Sequence, residues 1–114
     1  MKEVVIILRP KMYFPTKDAL DKAGFHSLSI RDVIGRGKQP VQYDMDEDDN
    51  EIVHRLVAKK MINMYVRDDD VQRLIDTVVE VNKTNHAGDG KIFVLPAEEA
   101  IRIRTRETGI EAIM

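Results

Sequence analysis

Gly88-Asp89-Gly90-Lys91 runs straight into Ile92-Phe93-Val94. Two glycines one residue apart beside a lysine are residue types that can receive a phosphate. Glycines let the backbone approach an anion closely and aim its amides at it, and Lys91 adds a point charge. The run is not a P-loop, because no Ser or Thr follows Lys91 and the longer spacer between glycines is missing. A tight turn ending in a solvated lysine is the plain alternative. Arg102 and Arg104 extend the same chemistry. On a strand they point to one side, about 7 Å apart. At an effective dielectric of ~20, two such cations repel by up to about 2 kcal/mol. A bound polyanion relieves that repulsion, and guanidinium suits phosphate geometry. The alternative is a pair splayed into water.

The other candidates are weaker. Gly35-Arg36-Gly37 starts like a dinucleotide fingerprint but meets Pro40 where a helix should begin, so it reads as a hinge. Lys38, Lys59 and Lys60 bracket the segment that follows. Asp44, Asp46, Glu47, Asp48, Asp49 and Glu51 crowd residues 44–51 with no base among them. Asp44, Asp46 and Asp48 fit the first ligand positions of an EF-hand loop, but Asp49 stands at the glycine position and Arg55 at the bidentate glutamate. A solvated, partner-contacting loop is the better reading. His26, His54 and His86 are scattered without metal-site spacing, and no serine sits in a nucleophile elbow.

These groups need a scaffold. The chain has 114 residues, 43% hydrophobic, 33% charged and with no Cys, enough for one domain with one core of Ile, Val, Leu and Met. The missing Cys excludes disulfides, thiolate metal sites and Cys nucleophiles. The formal net charge of −2 divides into a mildly basic body and one acidic loop, which lacks the basic stripe of a nucleic-acid binder. Val4 to Leu8, the longest apolar run, is too short to span a bilayer. No signal-peptide pattern precedes it, so the reading is a cytoplasmic protein without membrane insertion. A domain this small also stands to gain burial by oligomerising.

The apolar run Glu3–Leu8 predicts a buried strand with no alternation. Pro15 to Ala23 follows as a short helix stopped by Gly24. A second strand is expected from about Ser27 to Ile34, with a bulge at Arg31 to Val33. Residues 38–60 lack periodicity and read as one long loop. Met61–Val66 is a third strand, and Asp68-Asp69-Asp70 offers the N-cap of a helix that sets Val71, Leu74, Ile75 and Val78 on one face. Lys91–Leu95 is a fourth strand, and Ile101–Arg104 alternates like a short one. The order β-α-β-loop-β-α-β predicts an α+β fold, a ferredoxin-like split βαβ with the long loop between strands 2 and 3.

Thr84-Asn85-His86-Ala87-Gly88-Asp89-Gly90-Lys91-Ile92-Phe93-Val94, continued by Glu98-Glu99-Ala100-Ile101-Arg102-Ile103-Arg104-Thr105 and Glu111-Ala112-Ile113, resembles the C-terminal signature of the nitrogen-regulatory PII signal-transduction family. Gly35, Gly37 and Gln39 match its loop base, and the resemblance covers essentially the whole chain. It implies a single domain over 1–114 with a T-loop at about 38–58, assembled as a compact homotrimer. It further implies a regulator without enzymatic activity that binds ATP or ADP in clefts between subunits, and 2-oxoglutarate together with Mg-ATP. Gly88, Asp89, Gly90 and Lys91 would surround the phosphates, with Arg102 and Arg104 reaching in. Ser29, Gly35, Gly37 and Lys38 would come from the neighbouring subunit, and Met64 would join the nucleotide site. Gln39 would help hold Mg2+ and 2-oxoglutarate, and Lys59 would pair with a carboxylate of 2-oxoglutarate.

Gly35-Arg36-Gly37-Lys38, His54-Arg55-Leu56, Lys59-Lys60-Met61, Val81-Asn82-Lys83-Thr84 and Val94-Leu95-Pro96 are similar to the nitrogenase-associated branch. That similarity implies the dinitrogenase component as partner and a paralogous PII subunit as a companion. An ammonium channel or another nitrogen-metabolism enzyme is the alternative target. A small phosphate-handling enzyme, such as an acyl-phosphate hydrolase, is an alternative on the same fold, disfavoured by the missing catalytic set. A trimeric metal-binding protein is disfavoured by the absent Cys. Lys38 stands where many members carry arginine, and Arg106 where glycine is common. Tyr43 is the only loop tyrosine and sits too near the base for uridylylation.

Overall fold

The computed structural model describes residues 1–36, 41–42, 52–53 and 56–114, the two short pairs through their backbone alone. In chain order the elements are β1 (Lys2–Leu8), α1 (Tyr13–Lys22), β2 (Ser29–Gly35), β3 (Val41–Gln42), β4 (Ile52–Val53), β5 (Val57–Val66), α2 (Val71–Asn82), β6 (Lys91–Pro96) and α3 (Ile110–Ile113). One-turn 3-10 helices, Pro10–Met12 and Asp68–Asp70, lead into α1 and α2. The β-branched run of β1 takes the centre of an antiparallel sheet ordered β2-β5-β1-β6. Ile6 lies opposite both Ile62 and Ile92. This is the ferredoxin-like split-βαβ order expected from the sequence. A separate two-stranded pair, β3 with β4, falls between β2 and β5.

Strand alternation decides what the sheet buries. Val4, Ile6 and Leu8 of β1 and Ile62, Met64 and Val66 of β5 pack with Leu20 and Phe25, and with Leu74 and Val78 of α2, as one buried core. Thr16 ties the two helices together: its hydroxyl donates to the Met12 carbonyl at 2.6 Å and accepts from Asn82 Nδ2 at 3.0 Å. The opposite sheet face is open in the single chain. It carries Val5, Ile7, Met61, Tyr65 and Phe93, with Tyr65 52% and Phe93 47% exposed. The unbroken apolar run of β1 implied cover on both sides, and within one chain the helices cover only one.

Several local expectations are corrected. The register from Ser29↔Asn63 to Gly35↔Val57 is continuous, so β2 has no bulge. Its last residues need partners, and this extends β5 back to Val57, four residues before the expected start. Helix α1 begins at Tyr13 rather than Pro15, nucleated by the turn at Pro10. No Asp68–Asp70 side chain caps α2. Nearby cations take those carboxylates instead: Asp70 pairs with Arg73 at 3.2 Å and Asp68 with the Met1 amino group at 2.6 Å. Ile101–Arg104 is not a strand. One bridge, Ile101↔Thr108, holds a turn in which the Arg106 amide donates to the Arg102 carbonyl at 2.8 Å.

Candidate functional site

Three left-handed residues, Asn85 (φ 66°), Gly88 (φ 94°) and Gly90 (φ 112°), bend the chain between α2 and β6. A Cβ on Gly90 would lie 2.1 Å from the Ile7 carbonyl oxygen, so only glycine lets this turn dock against β1. The Asp89 carboxylate is turned into the loop. Its Oδ1 accepts from Arg9 Nη1 at 2.9 Å and from the Thr84 hydroxyl at 2.5 Å, and its Oδ2 accepts from the Thr84 amide at 2.7 Å. Arg9 Nη2 also donates to the Ala87 carbonyl at 2.9 Å. Asp89 and Arg9 therefore shape the loop, and Asp89 does not present bare negative charge to a ligand. Lys91 follows at the start of β6, exposed, with no ion pair among the described residues.

The Thr84 hydroxyl and amide, with Arg9 beside them, hold the Asp89 carboxyl well below the usual carboxylate range. A depressed folded-state value means that this group stabilises the fold above its unfolded value of about 3.9 and stops doing so as pH falls through the folded value. Acid unfolding from pH 6 downward, followed by circular dichroism, should therefore show wild type losing more stability below about pH 4 than Asp89→Asn does. Parallel acid curves would contradict this.

The remaining cations divide between engaged and open. Arg102 is half-buried: Nη1 donates to Glu107 Oε1 at 2.8 Å, and Nη2 to the Glu111 and Met114 carbonyls at 2.9 and 2.6 Å. Arg104 is exposed beside Ile103, which is 95% exposed. With no strand there, the shared-side geometry expected for Arg102 and Arg104 does not arise. Lys60 pairs with Asp32 at 2.5 Å. Lys59, opposite Val33, falls by alternation on the open face of the sheet.

Ser29 and Gly35 lie on β2, at the edge of the sheet opposite β6 and Lys91. Met64 is 2% exposed, its side chain in the core opposite Val4. Its neighbours Asn63 and Tyr65 face the open side. There the Asn63 amide and the Tyr65 hydroxyl donate to Glu3 Oε2 at 3.0 and 3.3 Å. The Glu3 charge pushes the Tyr65 hydroxyl up from its ordinary pKa. Gly37, Lys38 and Gln39, with Tyr43, the acidic run of 44–51, His54 and Arg55, lie outside the described residues.

The family model for "Nitrogen regulatory protein P-II" matches residues 1–107. The chain belongs to this family. As a P-II protein it is 39% identical, over all of both chains, to the "Nitrogen fixation nifHD region GlnB-like protein 2" of Methanobacterium ivanovii. Among solved P-II folds, a B. subtilis GlnK superposes with a TM-score of 0.79 at 33% identity, covering 97% of this chain and 96% of that one. A citrate-bound PII of Arabidopsis thaliana does so with a TM-score of 0.78 at 36% identity, covering 97% and 90%. The relatives' names support placing this P-II chain with the nitrogen-fixation branch. Among the described residues no helix is long and apolar enough to cross a membrane.

Arg9 and Thr84 are the site residues that sequence reasoning missed. Thr84 carried a readable signal, since a Thr just past a helix and five residues before an Asp suits a loop closed by side-chain-to-backbone bonds. Arg9 carried none, because its partners lie 78 and 80 residues away.

Proposed function

We propose that this chain is a non-enzymatic, cytoplasmic regulator of nitrogen metabolism. It senses ATP or ADP, and 2-oxoglutarate with Mg-ATP, and acts on its target through the loop at about 38–58 of a single domain. The observation that carries the reading is the Gly88–Lys91 turn. Its backbone is fixed by Gly90 against β1, its one carboxylate is already occupied by Arg9 and Thr84, and Lys91 stands at its mouth. That is a preorganised anion cradle. Lys91 belongs to the β6 edge and Ser29 and Gly35 to the β2 edge, which favours a nucleotide cleft completed by another copy in a homotrimer. The half-covered apolar face of the sheet supports the same assembly. Lys59 suits a carboxylate of 2-oxoglutarate, and the Arabidopsis relative, bound to citrate, supports a polycarboxylate as ligand. Gln39 and Lys38 would complete the site with Mg2+. The target consistent with the relatives' names is nitrogenase, bound at its dinitrogenase component, with an ammonium channel as the alternative.

Calorimetry with Mg-ATP, with and without 2-oxoglutarate, tests this. Lys91→Ala should weaken ATP binding by roughly 10- to 100-fold, the value of one charge-assisted bond of about 1.5–3 kcal/mol. Lys59→Ala should spare ATP and remove the 2-oxoglutarate response. No ATP binding by the wild-type chain would defeat the proposal. Recovery of a channel without nitrogenase from nitrogen-fixing cells would move the target to the alternative.

A further inference from the structure

Arg102 has two claimants. We propose that α3 and a bound polyphosphate compete for its guanidinium, so that nucleotide binding and docking of the Ile110–Met114 segment exclude one another. The inference rests on the nucleotide reading above and adds a regulation of that same site. A guanidinium grips an oxyanion pair along one of two edges, Nη1 with Nη2 or Nε with Nη2, and each edge uses Nη2. Here both Nη2 hydrogens are spent on the Glu111 and Met114 carbonyls, while Nη1 serves Glu107. As long as those bonds stand, neither edge can take a phosphate bidentately.

The surrounding backbone is built to bring these acceptors to Arg102. The Arg102 amide donates to the Glu107 carbonyl at 2.9 Å and the Gly109 amide to the Ala100 carbonyl at 2.9 Å, closing a loop that returns α3 to the guanidinium. α3 itself is held lightly. It is four residues long and buries no residue fully, and Met114 is largely exposed. Its release therefore sacrifices little apolar contact. Arg104 makes no ion pair among the described residues and keeps both edges for a ligand. The two arginines thus differ in kind: Arg104 is available at once, and Arg102 becomes available only when α3 lets go. Linkage makes the effect mutual, so a nucleotide that uses Arg102 loosens α3, and loss of α3 tightens nucleotide binding.

Two measurements on the full assembly test this. In hydrogen exchange read by mass spectrometry, saturating ATP should speed exchange in the peptide spanning 108–114, including the Ala112 amide that donates to Gly109. Ordinary ligand stabilisation would slow it. In calorimetry, a chain ending at Gly109 should bind ATP about 5-fold more tightly than the full chain. Exchange that is unchanged or slower while ATP binds the full chain overturns the competition and leaves the nucleotide reading intact. An unchanged affinity of the folded shorter chain does the same. Absence of ATP binding by both chains overturns the nucleotide reading and the competition with it. The exchange measurement needs no variant, so it decides the matter even where the shortened chain fails to fold.

Discussion

Gly90→Ala is expected to abolish ATP binding and to lower stability by about 3 kcal/mol, because two faults coincide. The backbone φ of 112° is one that an L side chain rarely adopts, and the new Cβ would meet the Ile7 carbonyl oxygen at 2.1 Å. That oxygen belongs to the central strand and cannot withdraw without disturbing the Ile7↔Lys91 pairing that opens β6. The loop must therefore lift from the sheet, and it takes the amides of 88–90 and the placement of Lys91 with it. Urea unfolding gives the stability change and calorimetry the binding. Gly35→Ala is the control for stability: no atom lies within 4 Å of its added Cβ and its φ is not positive. It should shift the urea midpoint little. A well-folded Gly90→Ala protein that binds ATP normally would show that the cradle does not depend on this approach.

Ile62→Ala carries the other large effect, a loss of about 3–4 kcal/mol. Ile62 has no exposed surface and sits mid-strand on β5 with Ile6 on one side and Ile30 on the other. Among the described residues β5 alone joins β2 to the rest of the sheet, so the cavity opens at the joint that carries the β2 edge. A domain of this size has about 5–15 kcal/mol in all, so the urea midpoint should fall by a large fraction of its value. Tyr65→Ala, three residues along but on the open face, should cost the single chain far less and should instead weaken self-association. Equal losses from the two substitutions would mean that the two faces are not energetically distinct.

What the sequence made legible follows from the range of the forces involved. Strand β1 announced itself because five consecutive apolar residues have few other solutions. The face of α2 was visible because Val71, Leu74, Ile75 and Val78 repeat with the helical period. The proposed site was partly visible: glycine spacing and Lys91 marked the turn before β6, and the Arg102 and Arg104 pattern marked a cationic arm. The geometry of that arm was not visible. Alternation of Ile and Arg over four residues implies a strand only if a partner strand exists, and a local bond from Arg106 to Arg102 prevailed instead. Arg106 adopts a φ of 63°, a left-handed conformation that an arginine does not announce. The burial of the Met64 side chain follows from alternation: a one-residue step along β5 exchanges the core for the open face. The role of Arg9 depended on a fold that had to exist before its partners came near.

The half-covered sheet has one further consequence, and it concerns abundance. In the proposed homotrimer, a face bearing Tyr65 and Phe93 that other copies cover would make folding and assembly a single mass-action equilibrium. Thermal midpoints should then climb with protein concentration. A cell that lets the protein become scarce would lose the sensor by dilution before any effector changed. For a molecule whose output must track nitrogen supply, the amount of chain present is itself an input.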